Sequence, residues 1–425
     1  MIDKFFRYIL FLISTLIIIS IFYRLYTFGK FLEFSSHLYY LKYYLFSISV
    51  FLFSYLSKYL KKKLFISICV ITTSILTTLY FFESFFYISE ILKRGEDKRS
   101  IIKVYEDQKK IDDNVIITLP PTSFINKHYD LLPLSHKSNT LIIDCNELGY
   151  YAMNQSDKNG FNNDNSVWTK DVDYLIIGDS FTYGHCVLRK NNIASIISEQ
   201  TGKNIINISM PGNGLLLNYA TFREYFSKKK IKNIIWFIND NDFENLNYEL
   251  NDRNLIKYLH EENFFQDLKN KNKEINFIIN DLFKKRFTRI KIIEFFLLKK
   301  TRFFITYRLK LLRNASFDKI DYSKKLQNST DMIFKKLIKE VDSKTKIFMV
   351  YVPVKNKFLE KNYNSNFKNI SKKIAYKHNF IFIDLDNIII NYENPLNLFS
   401  KYFPHYSEKG YKILSTYISN ELKKH

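Results

Sequence analysis

Several widely separated stretches of this 425-residue chain end in residues whose chemistry fits a single task. The segment "DYLIIGDSFTYGHCV", Asp173 to Val187, presents Ser180 directly behind an apolar run. Further on, "NISMPGNG" presents Gly212 and Gly214, "INDND" presents Asn239 and Asn241, and "FPHYSEKGYKIL" presents His405 near the C-terminus. A serine hydroxyl becomes a nucleophile only with a base in hydrogen-bond reach, and histidine suits that task near neutral pH. The oxyanion formed on attack needs donors aimed at it beforehand. The Ser180 N–H, the Gly212 N–H and the Asn241 side-chain amide are the expected set. Taken alone, Ser180 reads equally well as a helix cap after a buried strand. Only the ordered set favours a nucleophile.

Residues so far apart meet only if the fold carries strand ends to one edge. The runs Tyr174–Gly178, Asn204–Ser209, Asn233–Ile238, Lys346–Pro353 and Phe380–Leu385 are short, branched and aromatic-rich, as strands buried on both faces should be. Helix-length stretches alternate with them: Asn191–Gln200, Leu215–Lys228, Tyr322–Val341, Phe367–His378 and Ser407–Lys424. That alternation predicts an α/β domain with a parallel sheet covered on both sides, its ligand site at the carboxyl ends of the strands. A charged helical block at about 243–318 interrupts the rhythm. Within it Phe283, Phe287, Ile290, Ile293 and Leu297 recur at steps of three and four among many lysines and arginines, the pattern of an amphipathic basic helix. It is expected to pack on the sheet domain, with a second reading as a helix resting on an anionic membrane surface or gripping an acidic glycan.

On these motifs the chain resembles the SGNH, or GDSL-type, hydrolase family, and within it a group of membrane-associated bacterial proteins. The likeness runs from about Leu132 to Tyr248 and again from Lys346 to the end, through "CNELGYY", "SDKNGFNND", "GDSFTYGHCV", "NISMPGNG", "ATFREY" and "WFINDNDFENL". It implies a flavodoxin-like three-layer α/β/α domain and a serine esterase working through an acyl-enzyme. Ser180 would be the nucleophile and His405 the base, with Ser180, Gly212 and Asn241 forming the oxyanion hole. Asn241 is preferred over Asn239 because the family's Asn-Asp pair leads into an apolar residue and an acidic or polar turn, as in "NDFENL". No cofactor or metal is implied, and Asp240 with Asp242 lacks the partners a metal site needs. One position departs from the pattern: Tyr402 stands where the family places an Asp three residues before the His. A Ser-His dyad, an acid from elsewhere with Asp384 and Asp386 as the named candidates, or reduced hydrolysis would each follow. Asp179 is expected to fix the nucleophile turn, and His185 to be a solvent-facing turn residue or to line the pocket. The expected substrate is an O-acylated carbohydrate, cell-envelope glycan or lipid. The alternatives are an O-acyltransferase served by an acyl-transporting membrane partner, and an inactive glycan-binding module.

The remainder of the chain frames that domain. The formal charge of +22, from 64 Lys+Arg against 42 Asp+Glu, reflects a Lys-rich composition spread along the chain, and no nucleic-acid-binding motif accompanies it. Residues 1–92 contain apolar runs at Tyr8–Tyr23, Tyr43–Ser57 and Leu64–Phe82, read as a membrane anchor of three spans. The basic loop "KYLKKK" places the N-terminus inside and the large domain outside the cytoplasm. The cluster Lys93, Arg94, Lys98 and Arg99 opposes that orientation. A connector at 93–114 leads to the domain at 115–425. Of three cysteines, Cys69 lies in the third run, while Cys145 and Cys186 pair if the domain is outside and stay reduced if it is inside.

Overall fold

The computed structural model describes residues 2–27, 34–227, 229–287, 295, 298–306, 324–359, 363 and 366–425. The chain divides into two compact units, Met1–Tyr87 with Glu294–Ile305, and Ile88–Ile293 with Thr306–His425.

The first unit is helical. Helices α1 (Ile2–Thr27) and α2 (Phe34–Leu56) pack together, and α3 (Lys62–Lys93) follows. Small hydroxyl side chains join α1 to α2: Ser14 Oγ donates to the Ser47 carbonyl (3.0 Å), Ser47 Oγ to that of Ser14 (2.8 Å), and Ser54 Oγ to that of Arg7 (2.8 Å). In an apolar medium such bonds and close packing, rather than hydrophobic burial, hold helices together. Two described helical segments are long and apolar enough to cross a membrane, Asp3–Tyr23 and Lys62–Lys93. Of the three expected spans, the first and third lie within these segments. Buried Glu83 of α3 accepts from the Lys300 (3.1 Å) and Thr301 (2.7 Å) N–H groups, capping a helical stretch at 299–306.

The second unit is mixed α/β. Its five-stranded sheet comprises β4 (Tyr174–Ile177), β5 (Ile205–Asn207), β6 (Asn233–Ile238), β7 (Lys346–Tyr351) and β8 (Ile381–Asp384), all parallel, in the order β5-β4-β6-β7-β8. Alternate strand residues enter separate cores. Leu175, Ile177, Ile234, Trp236, Ile238 and Met349 meet α7 (Leu215–Phe226) and α11 (Lys324–Glu340), while Ile176, Ile235, Phe237, Phe348 and Val350 meet α6 (Ile193–Thr201) and α15 (Glu408–Leu422). Each such buried side chain contributes about 1.5–3 kcal/mol, and helices can shield both faces only when both faces are apolar.

Two features lie beyond the expected pattern. A second sheet, β1 (Val115–Ile117), β2 (Leu141–Ile143) and β3 (Met153–Gln155), pairs β1 parallel and β3 antiparallel to β2. Its strands are three residues each, too short for periodicity to reveal. The helical block begins with α8 (Asp240–Glu249) and α9 (Leu255–His260) and continues in α10 (Asn272–Phe287), whose Ile275, Ile278, Ile279 and Phe283 are buried in the larger core. Over α10 the block packs on the sheet domain; Ile290, Ile293 and Leu297 lie outside the described residues.

Candidate active site

Ser180 is the first residue of α5 (Ser180–Tyr183), immediately past β4. The turn is built almost entirely from its own residues. Asp179 caps the helix, its Oδ1 accepting from the Phe181 N–H at 3.0 Å, and Gly184 ends it at φ +79°. A side chain on Gly178 would lie 2.3 Å from Thr182 Oγ1, so glycine alone lets the strand turn so tightly. Asp179 is buried, and burial pushes its carboxyl upward against the hydrogen bonds that favour ionisation. Both its oxygens serve the turn, because Oδ2 accepts from Asn239 Nδ2 at 2.8 Å.

The asparagines behind β6 separate in role. Asn239 is buried and caps α8, its Oδ1 accepting from the Asn241 N–H (2.8 Å) while its own N–H donates to Asp242 (2.7 Å). Asn241 is exposed. The residue bonded to the Ser180 turn is therefore Asn239, not the preferred Asn241. The first position after the strand faces the sheet edge, and two residues later the helix has already turned outward. Asp240 and Asp242 also have structural occupations: Asp240 accepts from Tyr351 Oη (2.9 Å) and Tyr363 Oη, and Asp242 completes the capping box.

Gly212 follows β5 at φ +78°, and its carbonyl accepts from Asn245 Nδ2 (3.1 Å). The loop is further fixed by buried Glu249, whose carboxylate accepts from the N–H groups of Gly214 (2.5 Å), Leu216 (2.9 Å) and Leu217 (3.3 Å) at the start of α7. Burial pushes the Glu249 carboxyl up to about 7 despite these three donors. Among the described residues, neither the Ser180 N–H nor the Gly212 N–H has an acceptor.

His405 sits in the loop before α15. Its Nε2 lies 3.0 Å from Ser180 Oγ, and its Nδ1 lies 2.8 Å from Glu147 Oε1. A carboxylate only accepts, so Nδ1 carries the ring proton and Nε2 is left to accept from the serine hydroxyl. Lys355 anchors the loop, its Nζ donating to the carbonyls of Ser400 (2.6 Å), Lys401 (3.0 Å) and Phe403 (3.1 Å). Tyr406 Oη adds a bond to the Pro353 carbonyl (2.6 Å). Rings of Phe181 and His185 pack on His405, at 5.1 and 5.3 Å between centroids. His185 is thus half-buried beside His405 rather than facing solvent, with Nδ1 3.5 Å from Asp144 Oδ1.

The acid on His405 is Glu147, from the loop between β2 and β3. Neither sequence candidate reaches the ring: Asp384 pairs with Lys368 (2.7 Å), and Asp386 with Lys368 (2.9 Å) and Lys357. Tyr402 is half exposed beside Lys401. Glu147 escapes sequence reasoning because it precedes Ser180 in the chain. The usable signal lies in the cysteines. Cys145 and Cys186 form a disulfide with Cα atoms 4.9 Å apart, and that pairing carries an acid two residues past Cys145 toward the turn that Cys186 follows. The side-chain groups with metal-ligand spacing near the site all include one of these sulfurs, which are bonded to each other.

No family model matches this chain. No curated protein matches it either. Solved structures that match include a protein from Desulfitobacterium hafniense DCB-2 assigned to the lipolytic proteins of the G-D-S-L family, at 14% identity over 59% of this chain and 99% of that one, with a TM-score of 0.33. A score of that size says nothing about chemistry.

Proposed function

We propose that this protein is a serine ester hydrolase of the SGNH type, acting through a Ser180 acyl-enzyme with His405 as general base and Glu147 as the acid that orients it. The observation that carries the reading is the unbroken run Ser180 Oγ, His405 Nε2, His405 Nδ1, Glu147 Oε1, with links of 3.0 and 2.8 Å. His405 takes the hydroxyl proton as Oγ attacks the ester carbonyl, then returns it to the leaving alcohol, and Glu147 stabilises the imidazolium between those steps. The Ser180 and Gly212 N–H groups, with the second hydrogen of Asn239 Nδ2, are the assigned oxyanion donors. Water attacking the acyl-enzyme completes hydrolysis.

Two long apolar helical segments support a membrane-associated enzyme. An oxidised Cys145–Cys186 pair supports a site on the outer side, where disulfides persist. That location favours O-acyl groups on a cell-envelope glycan or lipid as substrate. The test uses the full chain in detergent, labelled with a fluorophosphonate probe. Labelling of the wild type that disappears in Ser180→Ala and His405→Ala is the expected result. A folded wild type that takes no label would sink the esterase reading.

A further inference from the structure

The loop that delivers Glu147 is held from three sides: by the segment after α5, by the connector from α3, and by the His405 side, where Tyr150 Oη donates to Glu408 (2.5 Å) and Ser400 Oγ to Glu147 Oε2 (3.4 Å). At its base, the Asp144 N–H donates to the Ala152 carbonyl (2.8 Å), and the Cys145–Cys186 disulfide fastens it to the segment after α5. At its tip the partners come from the connector that continues the chain from α3. Asn146 Nδ2 donates to the Asp97 carbonyl (2.9 Å), and the Asp97 N–H donates to the Gly149 carbonyl (2.9 Å). Tyr151 Oη donates to the Arg99 carbonyl (2.8 Å). Asn146 also closes the loop on itself, accepting from the Gly149 N–H at 3.0 Å. The backbones touch: a Cβ added to Gly95 would lie 2.5 Å from Gly149 Cα. Gly95 and Gly149 both adopt positive φ, +70° and +99°, so each bend depends on glycine.

The connector carries bonds of its own. Arg94 bonds Glu90 within α3 (2.6 Å) and donates to the Lys98 and Arg99 carbonyls (both 3.2 Å), while Arg99 bridges Asp97 (2.7 Å) and Asp107 (3.1 Å). Contiguous hydrogen-bond and ion-pair networks are one carrier of energetic coupling between separated groups.

We infer that Gly95–Arg99 is a positioning segment for Glu147, so that the stretch leaving the last apolar helix sets how the acid sits on His405. The inference rests on the reading of Glu147 as the orienting acid. A shift of the α3 end is felt first at Asn146 and Gly149, which flank Glu147 in the loop, and the nucleophile turn is held independently by Asp179 and Asn239.

The test is a double-mutant cycle on the full chain in detergent micelles, with a p-nitrophenyl acyl ester as the probe. Asn146→Asp keeps the acceptor for Gly149 and loses the donor to Asp97; Tyr151→Phe removes one oxygen; Gly95→Val drives the backbones apart. Each should lower kcat by about 5- to 50-fold with KM within about twofold, and should do nothing further in a Glu147→Gln background. Equal losses in both backgrounds, or no loss with Glu147 intact, would overturn the inference. Amide exchange reads the same coupling without catalysis: the 144–152 peptide should exchange about tenfold faster in these variants while 178–184 is unchanged. An unchanged 144–152 peptide also overturns it. A wild type that exchanges as expected yet neither labels nor hydrolyses would count against the esterase reading instead. If Gly95→Val fails to fold, the two milder variants decide.

Discussion

The turn under Ser180 and the loop bearing Glu147 reach the same histidine by opposite strategies. The turn is local: strand β4, Gly178, the Asp179 cap and Gly184 lie within a few residues of Ser180, and only Asn239 comes from elsewhere. The Glu147 loop is assembled from a distance, by a disulfide spanning 41 residues and by a connector about fifty residues upstream. Local geometry survives most distant changes, whereas a residue placed by remote contacts inherits the fragility of each. On the proposed reading, Ser180 is the fixed member of the site and Glu147 the adjustable one.

The comparison breaks most sharply at the triad. Ser180→Ala should leave only background turnover, and Glu147→Gln should lower kcat by about 10³- to 10⁴-fold while fluorophosphonate labelling slows rather than vanishes. A Glu147→Gln enzyme within about threefold of wild type would mean a Ser-His dyad suffices. Next come the asparagines. Asn239→Ala should cost about 10²- to 10³-fold in kcat, the loss typical of one oxyanion donor, and exposed Asn241→Ala should change it by less than about threefold. Reversed effects would restore Asn241 to the site.

Replacing both Cys145 and Cys186 by Ser should lower stability by about 2–4 kcal/mol, as expected for a loop of 41 residues, and reduce kcat as well. Urea unfolding with and without a dithiol reductant measures the first effect. A smaller effect concerns His136, buried under the Tyr183 ring (5.7 Å between centroids), where burial pulls its pKa down to about 4 against the opposing pull of Asp144. Between the unfolded value of about 6.5 and that of the folded state, the unfolded chain binds the extra proton. Stability is therefore full above about pH 6.5 and falls as pH drops toward about 4, by about 3 kcal/mol at most. His136→Gln should flatten that slope in unfolding measured at stepped pH, and an unaltered slope would assign it to other groups.

Much of the fold was legible because it is written in local patterns. The strands β4 to β8 announce themselves as branched apolar runs, and glycine marks the turns. Ser180 and His405 could be named because each sits at a fixed offset from a strand end or helix start. The small sheet β1–β3 escaped, since three-residue strands carry no period, and so did the acid it positions. The preference for Asn241 over Asn239 rests on the neighbouring residues in the chain, a criterion that is blind to which side chain the helix turns toward Asp179.

By itself the chain's order of residues determined the parallel sheet, the capped turn under Ser180 and the histidine before the last helix, because propensity, periodicity and caps act over a few neighbouring residues. Which carboxylate meets His405, which asparagine faces the serine, and what grips the Glu147 loop were decided only by tertiary structure. Those outcomes depend on contacts between segments separated by tens to hundreds of residues, and no local rule encodes the direction in which one folded segment meets another.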